Sequence, residues 1–108
     1  RREKMKKILL VCNAGMSTSL LVTNMEKYAK KENIEITIMA VPLTQVDSVV
    51  KDWDIVMLGP QVRHCLNQIK NIVDGRIPVE IIDMRDYGMM NGEKVLKRAL
   101  ELLDNEKV

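Results

Sequence analysis

The run Ile8-Leu9-Leu10-Val11 is apolar without a break and stops at a thiol, Cys12. A strand with no polar alternation is covered on both faces, so this run predicts a buried strand inside a layered fold. The turn Asn13-Ala14-Gly15-Met16-Ser17-Thr18-Ser19 follows, with one glycine and three hydroxyls, and a helix starts there. This order sets a nucleophilic sulfur against a helix N-terminus. Backbone N–H groups and the helix dipole favour negative charge at such a point, whether a thiolate or a phosphate bonded to it.

Strand-like and helix-like segments alternate through the rest of the chain. Leu21, Met25, Tyr28 and Ala29 fall on one helical stripe, with Glu26, Lys27, Lys30 and Lys31 facing away, and Asn33 suits the helix end. Ile34, Ile36 and Ile38 alternate with Glu35 and Thr37, as in a half-exposed strand. Thr44 with Asp47 resembles a capping box and predicts a short helix running to about Lys51. Ile55-Val56-Met57-Leu58 is a second unbroken apolar strand, closed by Gly59-Pro60. Val62, Cys65, Leu66, Ile69 and Val73 make the next helical stripe, and Gly75 suits its end. Val79, Ile81 and Ile82 flank Glu80 in a last strand. Residues 83–92 read as a loop, and residues 93–105 as a helix with Val95, Leu96, Ala99, Leu100 and Leu103 inward.

The pattern β-α-β-α-β-α-β-α implies an α/β fold with a single four-stranded parallel sheet and helices on both faces. The two unbroken strands belong in the centre and the two alternating ones at the edges, which gives the order 2-1-3-4. Winding then reverses between the first and third strands, and open α/β sheets bind ligands at the carboxyl edge beside such a switch point. Cys12 ends the first strand and Gly59-Pro60-Gln61 follows the third, so both fall there.

Composition narrows the function. A length of 108 residues suits one domain, expected over residues 5–105, with Met5 as a native start and residues 1–4 as a leader remnant. Aromatic content is 3% with no Phe, so the core is built from Ile, Leu, Val and eight Met, and base-stacking modes of nucleic-acid binding are disfavoured. The net charge of +2 points to neither nucleic acid nor acidic lipid. No apolar run approaches the ~20 residues of a membrane span, and no stretch reads as a signal peptide. Two cysteines make no secreted disulfide framework, so a cytoplasmic setting without membrane insertion is expected.

A free cysteine at a strand end is most often a small buried apolar residue. Here Gly15 lets the backbone turn closely around a ligand, while Ser17, Thr18, Ser19 and the loop amides can donate to anionic oxygens. The loop lacks the Gly-Lys-Ser/Thr ending of a Walker A motif, and Cys-x-x-Cys is absent. Cys65 sits on an apolar stripe and reads as core. Adjacent His64-Cys65 is poor spacing for metal ligands, so no metal or other cofactor is expected. His64 reads either as an ordinary exposed histidine or, with Gln61 and Tyr87, as a group at the rim of the site. Tyr87, Met89 and Met90 are apolar groups in the 83–92 loop, either filling space over the sheet end or meeting a partner. Cysteine phosphatases share the strand-Cys-loop-helix order but hold the phosphate with an Arg at the position of Thr18. Without that cation the loop suits a carrier better than a hydrolase; a phosphatase-like enzyme and a non-catalytic regulatory module stay open as alternatives.

At these residues the chain resembles the IIB components of the lactose/cellobiose class of the bacterial sugar phosphotransferase system. Cys12-Asn13-Ala14-Gly15-Met16-Ser17-Thr18-Ser19-Leu20-Leu21 carries the resemblance, with Leu58-Gly59-Pro60-Gln61-Val62, Tyr87-Gly88, Asn91-Gly92 and Val95-Leu96. The resemblance implies a fold like that of low-molecular-weight tyrosine phosphatases. It implies Cys12 as the phosphorylated residue, with residues 13–19 as the phosphate-binding loop. The donor would be a phosphohistidine on a IIA partner, and the acceptor a sugar hydroxyl presented by a membrane IIC partner. His64 departs from the pattern, which leads one to expect an aromatic there.

Overall fold

The computed structural model describes residues 5–12 and 16–106, without the side chains of residues 16, 17, 105 and 106. In chain order the elements are β1 (Lys6–Cys12), α1 (Met16–Lys31), β2 (Ile36–Pro42), α2 (Val46–Val49), β3 (Ile55–Leu58), α3 (Leu66–Val73), β4 (Val79–Ile81), α4 (Met84–Gly88) and α5 (Gly92–Glu106). The four strands form one sheet in the order β2-β1-β3-β4, and every neighbouring pair is parallel. Both unbroken apolar strands are central, as their patterning requires.

Side chains alternate across β1 and β3, and each face has its own cover. Ile8, Leu10, Ile55 and Met57 pack with Leu21, Met25 and Ala29 of α1 and with Val95, Leu96, Ala99 and Leu103 of α5. Leu9, Val11, Val56 and Leu58 pack on the other face with Val46, Val50, Val62, Cys65, Ile69 and Val73. Each large aliphatic side chain buried contributes about 1.5–3 kcal/mol. That outweighs the weak helix preference of the Ser17-Thr18-Ser19 start of α1, at most about 0.7 kcal/mol per residue.

Four local expectations are corrected. The second strand starts at Ile36, not Ile34, and runs on to Pro42, because its ladder with β1 continues until Cys12 pairs with Pro42. Proline has no amide hydrogen, so pairing stops there. The Thr44–Asp47 capping box does not form. Leu43–Gln45 is a 3₁₀ turn, and Gln45 holds the cap position of α2 without a side-chain bond. The helix after β3 opens as a 3₁₀ segment, Pro60–Cys65, and becomes α-helical only at Leu66–Val73. The predicted loop 83–92 contains α4. Asp83 caps it, its Oδ1 accepting from the amides of Arg85 (2.9 Å) and Asp86 (3.1 Å). At the end of α3, Asp74 (φ 53°) takes the first left-handed position and Gly75 (φ 74°) the second.

Candidate functional site at the end of the central strand

Cys12 closes β1 at the carboxyl edge, where the sheet reverses its winding between β1 and β3. It is 2% exposed, and its Sγ lies 3.8 Å from the Val41 carbonyl oxygen, the distance of a weak S–H···O contact. Cys12 has the parity of Ile8 and Leu10, so it belongs to the sheet face covered by α1 and α5. Residues 13–15 separate it from α1. The first turn of α1 holds no acidic residue, whereas Lys30 and Lys31 stand in its last turn. The positive end of this helix dipole thus has no carboxylate of its own in that turn and is suited to an incoming anion.

The neighbouring turns are fixed to this edge by backbone bonds. The Gly59 amide donates to the Val11 carbonyl at 2.9 Å, which holds the turn after β3 beside the residue preceding the thiol. The Ile82 amide donates to the Leu58 carbonyl at 2.8 Å and holds the end of β4 next to it. Three side chains then meet at one phenol. Tyr87 Oη on α4 shares a hydrogen bond with Thr18 Oγ1 of α1 at 3.1 Å. It also accepts from Gln61 Nε2 at 3.0 Å. Thr18 is 2% exposed and is the one buried polar side chain among the described residues.

Cys12 thus closes β1 on the carboxyl edge and precedes a helix whose first turn holds no acidic residue. The family described as "PTS system, Lactose/Cellobiose specific IIB subunit" matches residues 7–98. The chain belongs to this family of phosphotransferase-system proteins. IIB relatives match over nearly its whole length. The oligo-beta-mannoside-specific EIIB component of Bacillus subtilis is 43% identical over 94% of this chain and 100% of that protein. The galactose-specific EIIB component of Lactococcus lactis subsp. cremoris is 38% identical over 92% of this chain and 97% of its own. Among solved structures, the cellobiose-specific phosphotransferase IIB component of Borrelia burgdorferi superposes with a TM-score of 0.81 at 48% identity, covering 96% of both chains. The lactose-specific IIB domain of Streptococcus pneumoniae superposes at 0.83 with 19% identity, over 92% of this chain and 98% of that one, a likeness of fold. The four-stranded order and the phosphatase-like fold expected from the sequence are those of IIB domains.

The residues singled out in the sequence fall as follows in this IIB fold. Cys12 and Thr18 lie at the β1–α1 edge; Ser19 is exposed, and Met16 and Ser17 lie in the first turn of α1. Asn13, Ala14 and Gly15 lie outside the described residues. Gln61 and Tyr87 are joined to Thr18, whereas His64 is exposed on the 3₁₀ segment. Cys65 is buried in the core between β3 and α3. Met90 packs against the core on the α1 side, while Met89 is 69% exposed. Sequence reasoning missed that Thr18 and Tyr87 are bonded partners. The pair is separated by 69 positions, and the only local trace of it was the Asp83 cap that builds α4. The groove of about 350 Å³ between β4 and α5 is lined by Glu80, Asp86 and Arg98 among others and does not include the thiol. No helix among the described residues is long and apolar enough to cross a membrane.

Proposed function

We propose that this protein is a cytoplasmic phosphoryl carrier in sugar uptake, with Cys12 as the group that is charged and discharged. The Cys12 thiolate attacks the phosphorus of a phosphohistidine on a IIA partner. The P–N bond breaks as the S–P bond forms, and the imidazole leaves. In the second step a hydroxyl of a disaccharide or glucoside, held by a membrane IIC partner, attacks the same phosphorus. The S–P bond breaks, the hydroxyl proton passes to water, and the thiolate returns. The relatives' names, for an oligo-β-mannoside and cellobiose, support an oligosaccharide acceptor, while a third names galactose, a single hexose.

The observation that carries the reading is the position of Cys12 at the end of a buried central strand, followed by a helix with no acidic residue in its first turn. Amides and hydroxyls of residues 13–19 would hold the three equatorial oxygens, so the contribution is positioning and preorganised dipoles. Thr18 at the position of the phosphatase Arg favours carriage over hydrolysis, because the planar cation that binds the dianion and its transition state is missing. The test is Cys12→Ser. With a phosphorylated IIA donor the wild type is expected to take up phosphate, and the variant to lose uptake by several orders of magnitude. Uptake by the variant at the wild-type rate would sink the proposal.

A further inference from the structure

We propose that the Tyr87 hydroxyl is a positioning residue for phosphoryl transfer, clamping the first turn of α1 to the turns that follow β3 and β4. The inference rests on the carrier reading of Cys12 and extends it from the reacting group to what holds that group's surroundings. Residues from three separate stretches meet at this one oxygen. Thr18 is in α1, Gln61 follows β3, and Tyr87 is in the helix after β4. These three stretches leave the same carboxyl edge as Cys12.

The chemistry of the three groups gives the clamp a direction. Gln61 Nε2 can only donate, so the phenol oxygen accepts from it. The phenol hydrogen can then go to Thr18 Oγ1, which frees the threonine hydrogen to serve as a donor at the phosphate-favouring end of α1. Links of such a chain polarise one another, so a donor at its end is stronger than an isolated hydroxyl. Burial raises the stakes: Thr18 has almost no water to replace a lost partner.

Two features hold the phenol in place. Both the Asp83 carboxylate and its carbonyl bind α4, the carbonyl accepting from the Tyr87 amide at 2.9 Å. Asn24 Nδ2 of α1 donates to the Met90 carbonyl at 2.8 Å, a second tie between α1 and the end of α4. Gly59 sets the third partner. A Cβ there would stand 2.5 Å from Gln61 Oε1, and its φ of −61° is one that alanine adopts freely. Gly59→Ala therefore displaces the Gln61 amide without straining the backbone.

The experiment compares wild type, Tyr87→Phe, Thr18→Val, the double variant, Thr18→Ser and Gly59→Ala. Two readings are taken: steady-state transfer from phosphorylated IIA, and amide hydrogen exchange in the first turn of α1. Loss of one such bond predicts a fall in kcat of about three- to tenfold for Tyr87→Phe with little change in KM, and faster exchange at Leu20 and Leu21, whose amides bond back to the carbonyls of Met16 and Ser17. The double variant is expected to be no worse than the poorer single one, Thr18→Ser to keep most of the wild-type rate, and Gly59→Ala to fall between. Unchanged exchange in Tyr87→Phe overturns the clamp, whatever the rate does. Faster exchange with an unchanged rate overturns the positioning role. If wild type accepts no phosphate from IIA, the carrier reading fails and the positioning role with it; the exchange data still decide whether the clamp exists.

Discussion

Two cysteines of equal chemistry have different fates because of where the chain sets them. Cys12 ends a central strand before a helix start; Cys65 lies on the apolar side of the segment that covers the opposite sheet face, among Leu9, Val56 and Ile69. Burial is similar for both, so burial does not distinguish a reactive thiol from a packed one. The proposed roles predict opposite outcomes on substitution. Cys65→Ala removes one buried sulfur and is expected to cost about 1 kcal/mol of stability by denaturant titration. Phosphate uptake by that variant should stay at the wild-type level. A loss of uptake with the fold intact would give Cys65 a role that its place in the core does not support.

Gly92 shows how much one element can depend on the absence of a side chain. It opens α5, and a Cβ on it would stand 2.5 Å from the Met25 nitrogen and collide with the Asn24 carbonyl group. Both are backbone of α1, so neither can turn aside. Gly92→Ala is expected to push the two helices apart and cost about 1–3 kcal/mol, read as a lower denaturant midpoint with an unchanged slope. The exposed face of α5 is held more weakly. The Glu93–Lys97 pair lowers the Glu93 pKa and raises that of Lys97, but both side chains are open to solvent. α5 was legible in the sequence because its apolar stripe repeats, and the two central strands because their apolar runs are unbroken. The short elements were not. α4 has five residues and is held by the Asp83 cap and by Tyr87 and Met90 against the core, and such long-range packing leaves no local period. The Thr44–Asp47 signal failed for the converse reason: the residues fit a cap, but Pro42 and the following 3₁₀ turn shifted the helix start to Val46.

For the molecule as a whole, the sheet order follows from which strands lack polar alternation, and the position of the site follows from that order. The place of Cys12 at the carboxyl edge was legible at this level, since a strand end at a switch point can be located from patterning alone. The Thr18–Tyr87–Gln61 meeting point was not, because it depends on three crossovers closing to within hydrogen-bond distance. The proposed carrier holds a phosphoryl group on sulfur in this IIB fold and hands it on. Mass spectrometry of the intact and digested protein, after exposure to phosphorylated IIA, tests this role most directly. A single labile phosphate is expected on the Cys12 peptide, persisting in water and discharged when IIC and sugar are added. A phosphate on His64 or another residue, none at all, or release to water at the same rate without sugar would contradict that role.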